Sequence, residues 1–233
     1  MAFPTPSTPV ATLFAGSVTS MAITMPATVS AGDRLIAACS IRNVATWSTI
    51  PTGWTQLALQ AGGGAVGDLT VFEKVAAGTE AGTTPTWVSS AATTAAWQVM
   101  RVTGAHASTS SEIATTSGDA TNADPPALTP TGGSNDYLWI AVASNAATGD
   151  TTGFTAAPTN YTGLLSSGAS SGGSTVNVAT ATRQLTGTTE DPGTFTPASN
   201  RYWAAATVAV YPAAGGGGGG TTAHNLSMMG VGS

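Results

Sequence analysis

Apolar and polar residues alternate with a period of two along much of this chain, in short runs. Met21, Ile23 and Met25 alternate with Ala22 and Thr24 before Pro26 closes the run. Leu35, Ala37 and Cys39 alternate with Ile36, Ala38 and Ser40. Between Leu69 and Val75, Val71 and Glu73 oppose Phe72 and Lys74. Trp97, Val99, Arg101 and Thr103 share one face, Gln98, Met100 and Val102 the other, and Gly104 ends the run. Further runs cover 137–144, 174–185 and 202–211. A period of two puts successive side chains on opposite faces of an extended strand. The runs are separated by Gly, Pro, Ser, Asn and Asp clusters, the punctuation of an antiparallel sheet. Sustained helical spacing is nearly absent. An all-β antiparallel sandwich is predicted. Leu138-Trp139-Ile140-Ala141-Val142-Ala143 is apolar on both faces, as in a strand buried on both sides. Ala alternates with Trp, which predicts large-into-small packing between two sheets about 10 Å apart.

The runs also repeat. Asp33-Arg34-Leu35-Ile36-Ala37-Ala38 is echoed by Asp136-Tyr137-Leu138-Trp139-Ile140-Ala141. Pro51-Thr52-Gly53-Trp54 is echoed by Pro158-Thr159-Asn160-Tyr161, and Glu80 before Trp87 by Glu190 before Phe195. The run at Trp97 is echoed by one at Trp203. The period, a little over a hundred residues, is too long for a solenoid repeat or a propeller blade. Two duplicated halves are predicted, closing one sandwich or forming two smaller ones in tandem, with the Leu35 and Leu138 strands in equivalent places and Trp97 and Trp203 both in the core. The organisation read from the sequence is an N-terminal arm (1–12), a first half (13–107), a connector (108–133), a second half (134–213), a poly-Gly linker (214–220) and a C-terminal peptide (221–233).

Charge narrows the functions. Only 7% of residues are charged, against about 25% in ordinary soluble domains. Lys74 is the one lysine, five arginines accompany it, and the net charge is −5. Nucleic-acid binding needs clustered Lys and Arg to displace counterions, and no cluster is present. A polybasic membrane patch is missing for the same reason. No apolar run approaches the length of a membrane-spanning helix. The start, Met1-Ala2-Phe3-Pro4-Thr5-Pro6, has neither the basic nor the apolar region of a secretory leader, so none is expected.

Candidate chemistry is sparse. Cys39 stands alone among Ala37, Ala38 and Ile41 and reads as a small buried hydrophobe. His106 lies in a loop without a neighbouring carboxylate, and His224 in the C-terminal peptide. No nucleophile elbow, zinc-helix motif or phosphate loop occurs. Glu80 and the Glu190-Asp191 pair read as turn-forming acids rather than a glycosidase pair. Asp119-Ala120-Thr121-Asn122-Ala123-Asp124 has the alternating oxygens of a Ca²⁺ clasp but not the glycine and distal Glu of an EF-hand, and an Asx-rich turn is favoured. Trp47 and Trp54 lie in loops, where they are candidates for stacking on a glycan. No catalytic residue, metal or cofactor is expected.

The end of the chain is distinctive. Gly215 to Gly220 read as a flexible tether. Beyond them, Leu226, Met228, Met229 and Val231 are apolar anchors in a segment without charged side chains. Met adapts to irregular pockets. These four residues are predicted to dock into another subunit.

The series Gly32-Asp33-Arg34-Leu35, Pro51-Thr52-Gly53-Trp54-Thr55 and Val71-Phe72-Glu73-Lys74 resembles β-sandwich, jelly-roll-like virion proteins of tailed bacteriophages, over roughly residues 10–213. The resemblance implies a non-enzymatic structural or attachment role on a particle, as a head decoration or a tail or fibre component. It implies other virion proteins as partners through the C-terminal peptide, a homo-oligomer, and assembly in the host cytoplasm. The alternative is a module that binds a carbohydrate or host receptor, on a phage fibre or a secreted bacterial protein.

Overall fold

A computed structural model describes residues 2–43, 46–119, 122–199 and 201–214. The first half supplies β1 (Thr5–Pro6), β2 (Val10–Ala22), β3 (Arg34–Asn43), β4 (Trp47–Thr49), β5 (Thr55–Gln60), β6 (Val66–Val75) and β7 (Thr86–Thr103). The second supplies β8 (Glu112–Gly118), β9 (Asn135–Thr148), β10 (Phe154–Ala156), β11 (Thr162–Ser171), β12 (Ser174–Gly187), β13 (Thr196–Pro197) and β14 (Trp203–Val210). The seven strands of the first half form one sheet and β8, β9, β11, β12 and β14 the other, with β10 and β13 in a separate ribbon. The sheets are antiparallel and pack as the predicted sandwich.

The duplication is visible in strand order. The first sheet runs β2-β7-β3-β6-β5 and the second β8-β14-β9-β12-β11. The strands at Leu35 and Leu138 are thus topological equivalents, as are those at Trp97 and Trp203. Residue by residue, the sequence match slips by one. Leu35 belongs to the outer core of its sheet, whereas Leu138 faces the space between the sheets. Trp139 faces the way Leu35 does. Leu35 pairs with Lys74, which bonds Glu80, and Trp139 pairs with Arg183, which bonds Glu190. A one-residue slip reverses every side chain, so matched letters ended on opposite faces.

The repeated turn is reproduced in detail. Trp54 N–H donates to the Pro51 carbonyl at 3.1 Å, and Tyr161 N–H to Pro158 at 3.1 Å. The third residue of each turn has positive φ: Gly53 at 82° and Asn160 at 68°. Asn160 is the one non-glycine residue with positive φ among the described residues. Asn tolerates that region because its short side chain bonds locally.

Three cores hold the molecule, not one. The layer between the sheets is aliphatic, built from residues such as Ile36, Val71, Met100, Ile140, Val178 and Val208. No aromatic ring belongs to it among the described residues. Each sheet also buries its outer face under loops of its own half. The first outer core holds Trp54, Phe72, Trp87 and Trp97, and the second holds Tyr137, Trp139, Phe154, Phe195 and Trp203. Trp97 (0% exposed) and Trp203 (7%) are buried as predicted, but they face away from the opposite sheet. The packing expected between the sheets therefore lies outside them, because both faces of β7, β9 and β14 are apolar and the bulky face went beneath the loops. Across the seam, Gln98 donates to the Leu165 and Val178 carbonyls and accepts from the Thr180 hydroxyl at 2.8 Å.

The expected arm and connector are both partly strand. Thr5 pairs with Thr103, and β8 is the edge strand beside β14. Arg34 fixes the crossover between halves. It is buried, pairs with Glu73 at 3.1 Å, and donates to the His106 and Thr109 carbonyls at 2.6 Å each.

Candidate functional site

All four glutamates are committed to structure. Glu80 accepts the backbone N–H groups of Ala77, Gly78 and Thr79 at 2.9–3.0 Å and pairs with Lys74 at 3.0 Å. Burial raises its carboxyl, but these bonds outweigh burial and hold it at about 2. Its counterpart Glu190 pairs with Arg183 at 2.8 Å and accepts the Tyr161 hydroxyl at 3.3 Å. Burial, with the Glu190 charge beside it, pushes the Tyr161 phenol far upward. Glu73 is the partner of Arg34, and Glu112 accepts from Thr131 and the Tyr211 hydroxyl. The repeated acids are turn formers, as read from the sequence, although they are buried rather than solvated. None lines either of the two clefts described below.

The other candidates fall similarly. Trp54 is 7% exposed and meets Trp87 edge-on at 5.1 Å, so its ring is not a stacking platform. Trp47 is half-buried, edge-on to Phe72 and Trp97, and donates to the Thr70 hydroxyl at 3.2 Å. Trp54 lies in a loop as expected, but Trp47 does not: it opens β4 and pairs with Ser89 of β7, and both rings fold down onto the outer face of the sheet. His106 Nδ1 accepts the Ser108 and Thr109 N–H groups, which closes its own loop. Burial pushes the Cys39 thiol well up and leaves it unreactive. In the candidate Ca²⁺ segment, Ala120 and Thr121 lie outside the described residues, and Asp124 is raised by burial and by nearby Asp191. No group of three metal-ligating side chains occurs among the described residues. His224, Leu226, Met228, Met229 and Val231 lie outside the described residues.

One cleft gathers two arginines and a tyrosine. It is shallow, about 410 Å³, and lined by Arg42, Gly64, Val66, Ala146, Thr148, Arg201 and Tyr202. These residues come from the end of β3, the start of β6, the end of β9 and the approach to β14, so the cleft sits at one pole of the sandwich. Gly64, the last of three consecutive glycines, lines it, and the other two pack beneath against backbone. A Cβ on Gly62 would lie 2.0 Å from the Val66 carbonyl oxygen, and one on Gly63 would lie 2.1 Å from that of Gly118. A Cβ on Gly64 would lie 2.9 Å from the Tyr202 ring. The ring thus rests on bare backbone, yet 43% of Tyr202 is exposed. No acidic residue lines the cleft. A second cleft, about 260 Å³ beside Pro6–Pro9 and Gly163–Leu165, has no charged lining residue. Sequence reasoning missed the polar cleft because its residues are scattered. The usable signal was Gly62-Gly63-Gly64 between two strands.

The two ends of the described residues gather at the opposite pole. Ala213 N–H donates to the Gly104 carbonyl at 2.8 Å, and Ala105 pairs with Pro212. The N-terminal β1 joins the end of β7 there, and Gln184 donates to the Pro4 carbonyl at 2.8 Å. The eight residues of β14 separate the poles by about 26 Å at about 3.3 Å per residue.

Comparison with family models, curated proteins and solved structures finds no match to this chain.

Proposed function

We propose that this chain is a non-enzymatic structural protein of a particle of the tailed-bacteriophage kind, anchored through its C-terminal peptide with its sandwich displayed outward. The observation that carries this reading is polar. The described chain finishes beside Gly104, at the pole holding β1, while the cleft lined by Arg42, Arg201 and Tyr202 opens at the other. A tether leaving one pole points the other away from whatever it grips. The commitment of every glutamate to a loop or an ion pair supports a non-enzymatic role.

Sedimentation of particles from the source culture tests the proposal. The full-length chain should cosediment with DNA-containing particles, and a chain truncated after Ala214 should remain soluble, folded and monomeric. Incorporation of the truncated chain at the full-length level defeats the anchoring role, and particles lacking the chain defeat the assignment. A host-glycan-binding module is the second reading, and the same cleft favours it.

A further inference from the structure

We propose that the Arg42–Arg201–Tyr202 cleft is a binding site for a carboxylate-bearing saccharide. The inference deepens the glycan-binding reading and does not depend on the particle assignment.

Cations are scarce here, so their placement is informative. The chain has six Lys and Arg in 233 residues. Lys74, Arg34, Arg101 and Arg183 are tied to Glu80, Glu73, Asp33 and Glu190 within the fold. Arg42 and Arg201 come from opposite halves of the chain and line the same cleft. Both hold contacts within the protein. A guanidinium has five N–H donors in a planar fork. That fork matches a carboxylate, which can accept two parallel bonds. With a net charge of −5, the molecule as a whole repels anions, so an anionic ligand needs a local cationic site.

Tyr202 supplies the other half of the recognition. It is one of three exposed large hydrophobics among the described residues, beside Leu13 and Val75. Its ring packs closely on the glycine backbone, where a Cβ on Gly64 would lie 2.9 Å from it. A half-exposed phenol offers an apolar face to the C–H side of a sugar ring and a hydroxyl to its polar edge. The Thr148 hydroxyl adds one more polar group to the lining. A few polar groups around an aromatic surface are the usual make-up of a small-ligand site. Two cations are too few for a nucleic-acid track, and a lone inorganic anion would leave the ring unused.

The test is titration calorimetry on the full-length chain. The acidic probes are 3′-sialyllactose and tetragalacturonate; their neutral counterparts are lactose and carboxyl-reduced tetragalacturonate. At least one acidic probe should bind saturably and roughly tenfold or more tighter than its neutral counterpart, the size of one lost charge-assisted contact. Arg201→Gln should lower that affinity by about tenfold, Tyr202→Ala should abolish stacking and weaken it similarly, and Tyr202→Phe should retain most of it. Arg201 is exposed, so an unchanged melting temperature in Arg201→Gln shows that the fold is intact. Equal binding of acidic and neutral probes, wild-type affinity in Arg201→Gln, displacement by equimolar inorganic phosphate, or no saturable binding of either acidic probe would overturn the proposal. None of these outcomes bears on cosedimentation of the chain with particles.

Discussion

Replacing Glu80 by Gln should uncouple a loop from the first sheet, and the size of the effect follows from its protonation. In the folded chain the carboxylate collects three backbone N–H groups and Lys74. Its pKa falls from an ordinary 4.5 to about 2. At about 1.4 kcal/mol per unit, that difference corresponds to about 3 kcal/mol of stability at neutral pH. The sign is that of a depressed acid. The contribution is complete above the unfolded pKa of 4.5 and is lost as pH falls through the folded value near 2. At pH 3 roughly 1.4 kcal/mol should remain. Urea unfolding of wild type and Glu80→Gln at pH 7 and pH 3 reads this directly. The stability gap should be about 2–3 kcal/mol at pH 7 and shrink by about half at pH 3. A gap below about 1 kcal/mol at pH 7, or one that does not change with pH, would refute the clamp.

Three more outcomes are expected. Asn160→Gly should be nearly neutral, whereas Asn160→Ala should cost about 1–2 kcal/mol because Ala resists positive φ, as chemical denaturation will show. Arg34→Met should cost about 3–5 kcal/mol by leaving Glu73 buried without its cation, and the Arg34→Met, Glu73→Leu double variant should recover much of that loss. Trp97→Ala should cost about 3–5 kcal/mol, and an unchanged melting temperature would show that the first outer core does not depend on this ring.

Strands with an apolar alternation were legible. β3, β6, β7, β9, β12 and β14 carry it because they occupy the middle of the sheets, where side chains must be sorted by face. β2, β5 and β11 escaped notice because their residues are mostly half-buried or exposed at sheet edges, and β8 fell within the connector. The run at 21–25 is misplaced as a strand: only Met21 and Ala22 belong to one, the end of β2, and Ile23 and Met25 are buried beyond it. Orientation was less legible than position. Leu138 and Trp139 are both apolar, and nothing in the alternation says which faces the seam. That choice was made by the loops, which cap Trp139 and Trp97 from outside. The glutamate clamps could be found because Glu80 and Glu190 recur with their turns. Arg42 and Arg201 could not, since only sheet pairing brings the ends of β3 and β14 to one pole.

The division of rings among the three cores has an optical consequence. Trp47, Trp54, Trp87 and Trp97 pack in or against the first outer core, and Trp139 and Trp203 lie in the second. The seam between the sheets has no fluorophore among the described residues. Tryptophan emission therefore reports the consolidation of each half separately and is blind to their docking. A kinetic trace could show two completed halves while the sandwich is still open. Watching the seam close requires a reporter placed there, and the Met100 methyl group, buried in that aliphatic layer, is the natural label for NMR.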